Sequence, residues 1–185
     1  MILGLDVSTS ITGVTLLNQD SKVIYNFAID TRKYRDFFDK AKAVEAALED
    51  LKLQVLRRVG VTAWPERIFI EQSLQTFRSG FSSAKTLSSL SRFNGIVSWL
   101  CYNIFEIKPE YIAATSARKQ AGISVPKGVK GKEAVIKYVV DNVSDVLIEY
   151  TKHGNPRPEC FDKADSWVIA KAGLVQCQKE KSLKS

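Results

Sequence analysis

Three short apolar runs open the chain, ILGLDV, TGVTLL and KVIYNFAI, separated by the polar turn residues STS and NQDS. Connections this short cannot hold a parallel crossover, so the three segments are expected to pair as an antiparallel meander. The first run ends in a carboxylate, Asp6, where a buried strand would ordinarily carry Val or Ile. Removing a charge from water at the end of an apolar strand is costly unless a cation lies beside it. Asp6 therefore marks a place where the sequence departs from simple strand chemistry.

After the meander the period changes. From Tyr34 to Val59, Phe38, Ala41, Val44, Leu48, Leu51 and Val55 recur at helical spacing, and Gly60 is a stop signal. RIFIEQ, Arg67 to Gln72, then reads as a buried strand closing on a second acid, Glu71, before the Ser/Gly-rich loop QSLQTFRSGFSS. A helix is expected from Ala84 to Phe105, a fifth strand at EYIAAT, and further helices over Lys132–Val146 and Asp162–Gln176. This order predicts an α/β fold: a five-stranded mixed sheet, three antiparallel strands then two parallel, flanked by helices. A single domain is expected over residues 1–178, with 179–185 as a disordered basic tail.

At 185 residues the chain is long enough for one core without staples. Its net charge of +7 favours a polyanionic partner, nucleic acid first among them. Cys101, Cys160 and Cys177 are widely spaced and His153 is the single histidine, so neither a disulfide framework nor a Cys/His zinc site is indicated. MILGLDV carries no basic leader, and the longest apolar stretch, IVSWLCYNIF, is too short to span a bilayer. A soluble, cytoplasmic protein without membrane contact is expected.

Two more acids stand in FDKADSWVIAKAG, where Asp162 and Asp165 are three residues apart at the expected start of a helix and so share one face. Asp162 alone would be an ordinary N-cap or first-turn acid. If the first and fourth strands are neighbours, however, Asp6 and Glu71 emerge at one sheet edge and four carboxylates can converge. Such a cluster suits hard divalent cations bound through oxygen. Two cations about 4 Å apart can activate a water and stabilise a leaving oxygen in phosphodiester cleavage, with no need for a nucleophilic Ser or Cys.

Taken together, ILGLDVSTSITGVTLL, RIFIEQ and DKADSWVIAKAG resemble the first hairpin, Glu strand and acidic last helix of the RuvC-type Holliday junction resolvases, in the RNase H-like (retroviral integrase) superfamily. The resemblance runs over nearly the whole chain and is nearer to the viral and bacteriophage branch. It implies an RNase H-like fold, with Asp6, Glu71, Asp162 and Asp165 as catalytic metal ligands. It implies two Mg²⁺ ions per site, replaceable by Mn²⁺, and an endonuclease that resolves four-way junctions and related branched DNA by paired symmetric nicks. Lys119 and Lys132 match positions where the family has basic residues near the scissile region. Val7-Ser8 replaces the family's proline-glycine pair, and Ser8 could add a hydroxyl contact. Leu74 falls where some members place an aromatic wedge, with Phe77 and Phe81 nearby; Phe77 is taken as a DNA contact.

The basic segment has a reading of its own, as a phosphate-binding stretch or as a solvated flexible loop. Between Thr115 and Tyr138 lie Arg118, Lys119, Lys127, Lys130, Lys132 and Lys137 against the single acid Glu133, with Gly128 and Gly131 permitting close approach of backbone to phosphate. GVKGKE lacks the spacing of a P-loop. On the Ala84–Phe105 helix, Leu87, Leu90, Val97, Cys101 and Ile104 form one apolar seam and Phe93, Ile96 and Leu100 a second, which suits a deep core or a subunit interface. The resemblance favours a homodimer. Competing readings are an RNase H acting on hybrids, a non-catalytic DNA-binding protein of this fold, and a sugar-kinase-like ATPase, whose duplicated half and Gly-rich adenosine motif are missing from the sequence.

Overall fold

Strands β1 (Ile2–Asp6), β2 (Ile11–Leu17), β3 (Val23–Asp30), β4 (Arg67–Glu71) and β5 (Glu110–Ile112) form one sheet in the order β3-β2-β1-β4-β5. The computed structural model describes residues 1–59, 64–72 and 84–183. β1 pairs antiparallel with β2 and β2 with β3, whereas β1–β4 and β4–β5 are parallel, as the sequence predicts. Helices α1 (Phe37–Val59), α2 (Ala84–Phe105), α3 (Ala114–Gln120), α4 (Gly131–Asn142) and α5 (Pro158–Ser182) complete the fold. Among the described residues no helix is long and apolar enough to cross a membrane.

The twofold alternation of strand side chains assigns each helix to a face. Leu3, Leu5, Val14, Leu16, Ile68 and Ile70 point to one side, into a core shared with Val44 and Leu48 of α1 and Val97 and Cys101 of α2. Ile2, Leu17 and Phe69 point to the other, against Val168, Ala172 and Leu174 of α5. By the same parity Gly4, Asp6, Gly13, Thr15 and Glu71 belong to the α5 face. Both cores are needed because the inner strands β1, β2 and β4 are covered above and below.

Helix α5 lies unusually close to the sheet. A Cβ on Gly4 would collide with the backbone of Ala170, and one on Gly13 with the backbone carbonyl of Asp162. Only glycine lets the helix backbone rest at these two points. Beside Gly13, the Thr15 and Ser166 hydroxyls share a 2.8 Å hydrogen bond, and Asn26 Nδ2 donates to Thr15 Oγ1 (2.7 Å) and to the Lys163 carbonyl (3.0 Å). At the other end of α5, the Arg67 guanidinium donates to both Glu110 oxygens at 2.6 Å and to Glu180 at 2.7 Å.

Several expectations need correction. α5 begins at Pro158, four residues before Asp162, so that acid is in the second turn and not at the cap; Arg157 is the N-cap. The helix also continues to Ser182, through residues expected to be a disordered tail, its C-terminal turn carrying the Glu180 bonds to Arg67. EYIAAT divides into a three-residue strand and the start of α3. Phe38, assigned to the buried stripe of α1, is 70% exposed because it lies in the helix's first turn, before the stripe reaches the sheet. Both expected seams of α2 turn mainly inward, with Val97 and Cys101 fully buried, so its open face is a different one, carrying Trp99 and Tyr102.

Gly13→Ala is expected to destabilise the protein by about 1–3 kcal/mol through overpacking. Gly95→Ala, in α2 with open space around the added methyl, should be neutral or stabilising by about 0.5–1 kcal/mol. Urea unfolding of the two variants beside the parent checks the contrast.

Candidate active site

The register of β1 on β4 pairs Leu5 with Ile70, so the next residues, Asp6 and Glu71, leave the sheet side by side at its carboxyl edge. Asp6 is also in register with Gly13 of β2, against which the Asp162 carbonyl rests. The second turn of α5 is thereby placed over the end of β1, and Asp165, one turn on, shares the face of Asp162. Asp6, Asp162 and Asp165 are buried and Glu71 is half-buried. The end of β4 is held by Asn94 of α2, whose Nδ2 donates to the Glu71 carbonyl at 3.0 Å, and by the Gln72 amide donating to the Ile112 carbonyl at 2.9 Å.

Four carboxylates gathered away from water resist ionisation. Burial pushes Asp6 well above the ordinary carboxylate range, and repulsion from Glu71, Asp165 and Asp162 adds to it. Glu71 is raised to about 7, by burial first and then by Asp165. Burial also raises Asp162 and Asp165. The opposing charge is Lys132, whose ammonium lies 3.5 Å from Asp162 and 3.4 Å from Asp165. Desolvation pulls the Lys132 pKa down, but attraction to Asp6, Asp165 and Asp162 outweighs it and the net shift is upward.

Lys132 reaches the acids from the first turn of α4. Arg118, in the last turn of α3, passes beside Gly131, where an added Cβ would stand 3.0 Å from its Nη1, and its charge is felt at Glu71 and Asp165. Lys119, Lys127 and Lys130 are solvent-exposed, and Lys130 pairs with Glu133 at 3.7 Å. Of the family-matched pair, then, Lys132 enters the acid cluster, while in α3 it is Arg118 rather than Lys119 that faces it. Phe77, Leu74 and Phe81 lie outside the described residues. His153 is exposed in the loop bridged by Tyr150 and Pro156. The Ser8 hydroxyl is occupied within its own turn, accepting from the Ser10 and Ile11 amides and donating to the Ile11 carbonyl at 2.7 Å. Cys101, Cys160 and Cys177 are free and buried.

One basic residue near the acids was not foreseen from sequence. Arg32, just past β3, stands 4.0 Å from Glu159 in the first turn of α5, and its charge reaches Asp162. The basic run TRKYR immediately after an expected strand was the available signal.

Among the described residues no three Asp, Glu, His or Cys side chains close around a single point as a ligand set, and the cation among the acids is the Lys132 ammonium. The donor chemistry nevertheless fits a hard divalent ion. All four groups are oxygen donors, all are negative when ionised, and a cation already occupies their field.

No protein-family model matches the sequence. No curated protein matches it by sequence either. Solved structures do match by fold. The chain is similar to Thermus thermophilus RuvC in complex with a Holliday junction substrate, with 13% identity and a TM-score of 0.64 over 96% of this chain and 94% of that one. The Thermus thermophilus RuvC structure gives 16% identity and 0.60 over 97% and 96%. The yeast mitochondrial Holliday junction resolvase Ydc2 gives 19% and 0.54 over 98% and 80%. The chain shares the overall fold of these structures: a five-stranded mixed sheet flanked by helices.

The raised carboxylates fix a sign for stability. Between pH 4.5, the ordinary Glu value, and about 7, native Glu71 keeps a proton that the unfolded chain releases, so stability falls as pH rises across that window. Glu71→Gln, which cannot ionise, should raise the melting temperature in EDTA more at pH 8 than at pH 5. Differential scanning fluorimetry at the two pH values checks it.

Proposed function

We propose that this protein is a metal-dependent, structure-selective endonuclease that cuts four-way DNA junctions and related branched DNA. The observation that carries this reading is the convergence of Asp6, Glu71, Asp162 and Asp165 at one sheet edge, on a fold shared with junction resolvases. In it the four carboxylates hold Mg²⁺, with Mn²⁺ as a substitute. Two bound ions would supply an activated water and charge stabilisation for the leaving oxygen. The chain's own part is to keep the acids dry and fixed, with α5 seated on Gly13 and the end of β4 held by Asn94. Lys132 and Arg118 neutralise the cluster and give a phosphodiester a positive seat beside it. The +7 charge draws a polyanion to that seat and makes binding salt-sensitive.

Symmetric nicking of two strands calls for two such sites, and the open face of α2 offers a means of pairing them. Trp99 is 60% and Phe38 70% exposed. With Phe37, Arg92, Gly95 and Ile96 they line an apolar groove of about 730 Å³ between the start of α1 and α2. A second copy of the chain seated on this face would form a twofold homodimer.

Asp6→Asn, Glu71→Gln, Asp162→Asn and Asp165→Asn are each expected to reduce single-turnover junction cleavage by at least about a hundredfold while junction binding persists, since each removes a ligand but no cation. The assay offers a four-way junction, a linear duplex and an RNA–DNA hybrid with Mg²⁺. Cleavage of the hybrid in preference to the junction would favour an RNase H, and equal cutting in EDTA would defeat the metal reading.

Light scattering should give twice the chain mass, and Trp99→Glu should give one chain mass without loss of secondary structure. Polar substitution of Val97 or Cys101, by contrast, should unfold the core rather than separate subunits.

A further inference from the structure

The acid cluster is flanked on both sides, and only one flank, that of Lys132 and Arg118, has a part in the proposed cleavage. β3 runs parallel to β1, since each is antiparallel to β2, so the ends of β1, β3, β4 and β5 share one edge of the sheet. Arg118 and Lys132 approach the acids from elements that follow β5. At the opposite margin, beyond β3, the chain reads Thr31-Arg32-Lys33-Tyr34-Arg35.

This segment is fastened to the turn that follows Asp6. Thr31 is fully buried; its hydroxyl donates to the carbonyls of Thr9 (3.1 Å) and Ser10 (3.0 Å), and its amide to the Ser10 carbonyl at 2.9 Å. Lys40 Nζ donates to the same Thr9 carbonyl at 2.5 Å. The local acids have local work. Asp30 grips the Arg32 guanidinium with both oxygens, at 2.9 and 2.6 Å, and Asp36 accepts from the Phe38 amide at 2.8 Å as the cap of α1. Lys33 and Arg35 are exposed, with no carboxylate partner among the described residues, and the Lys33 ammonium lies 4.9 Å from the centre of the Tyr34 ring.

We infer that Lys33 and Arg35, presented by the pinned β3–α1 loop, form a second phosphate-binding flank that grips the DNA strand on the far side of the acids from Arg118 and Lys132. Two strand spacings separate β3 from β1, about 10 Å. At that separation the flank would meet the same strand within a few nucleotides of the cut. Held on one side only, the strand could pivot about the acids; held on both, its direction across them is fixed.

The inference rests on the nuclease reading, and its test separates the two. Lys33→Ala/Arg35→Ala is compared with the charge-matched Lys22→Ala/Lys179→Ala, both of whose side chains are exposed at the opposite end of the sheet. Binding to a four-way junction is measured by anisotropy in EDTA across a salt series, beside cleavage in Mg²⁺. Removing one cation that binds a phosphate should lower the slope of log affinity against log salt by about one. A slope reduced by about two in the first variant, and unchanged in the control, is the expected result. A slope equal in both variants would overturn the inference while wild-type cleavage leaves the nuclease standing. A wild type that binds the junction without cutting it would remove the nuclease but not the flank, and one that binds no DNA would remove both.

Discussion

The contact on which the site depends is backbone against backbone. α5 can rest on β1 and β2 because Gly4 and Gly13 present no side chain to it, and the Asp162 carbonyl fills the space a Cβ at Gly13 would need. A helix packed on a sheet normally stands off by the thickness of the intervening side chains, as stacked sheets do at about 10 Å. Bringing it nearer lets two short aspartate side chains join a carboxylate that belongs to a strand end. The Thr15, Ser166 and Asn26 hydrogen bonds hold the same turn laterally, so Asp162 and Asp165 are fixed by the sheet and not by a loop.

That placement is electrostatically unfavourable on its own terms. Every acid in the cluster is raised by burial, and Asp6 by three like-charged neighbours besides. Lys132 offsets part of the repulsion from outside the sheet, at the start of a separate helix. The fold supplies the rigid acids, and a lysine arriving on another element supplies the counter-charge. Sites that trade stability for chemistry commonly take this form.

Much of this was legible in the residues. Short turns dictated the meander, and Asp6 and Glu71 each closing an apolar run dictated their emergence at one edge once β1 and β4 were neighbours. What was not legible depended on contacts distant in sequence. The start of α5 was misplaced because the acids suggested a first turn, although Pro158 at the opening of the helix was the better signal. α3 spans only seven residues, too few to display a period, so the sequence did not tell which of Arg118 and Lys119 turns towards the acids. Phe38 obeyed the helical stripe, but the stripe begins before the sheet does. Nothing local in VIYNFAID announced that Asn26 would reach Thr15 and α5.

The clamp of Arg67 on Glu180 acquires a meaning from where it sits. Arg67 begins the strand that Glu71 ends, and Glu180 lies near the end of the helix that carries Asp165. α5 is thus fastened to β4 at one end by an ion pair and seated over the acid-bearing strand ends at the other. A helix turns about 100° per residue, so a slip of one residue along its axis would swing both aspartates off the cluster. With its two ends tied, α5 acts as a gauge bar whose length, and not its flexibility, sets the spacing of the charges at the tip.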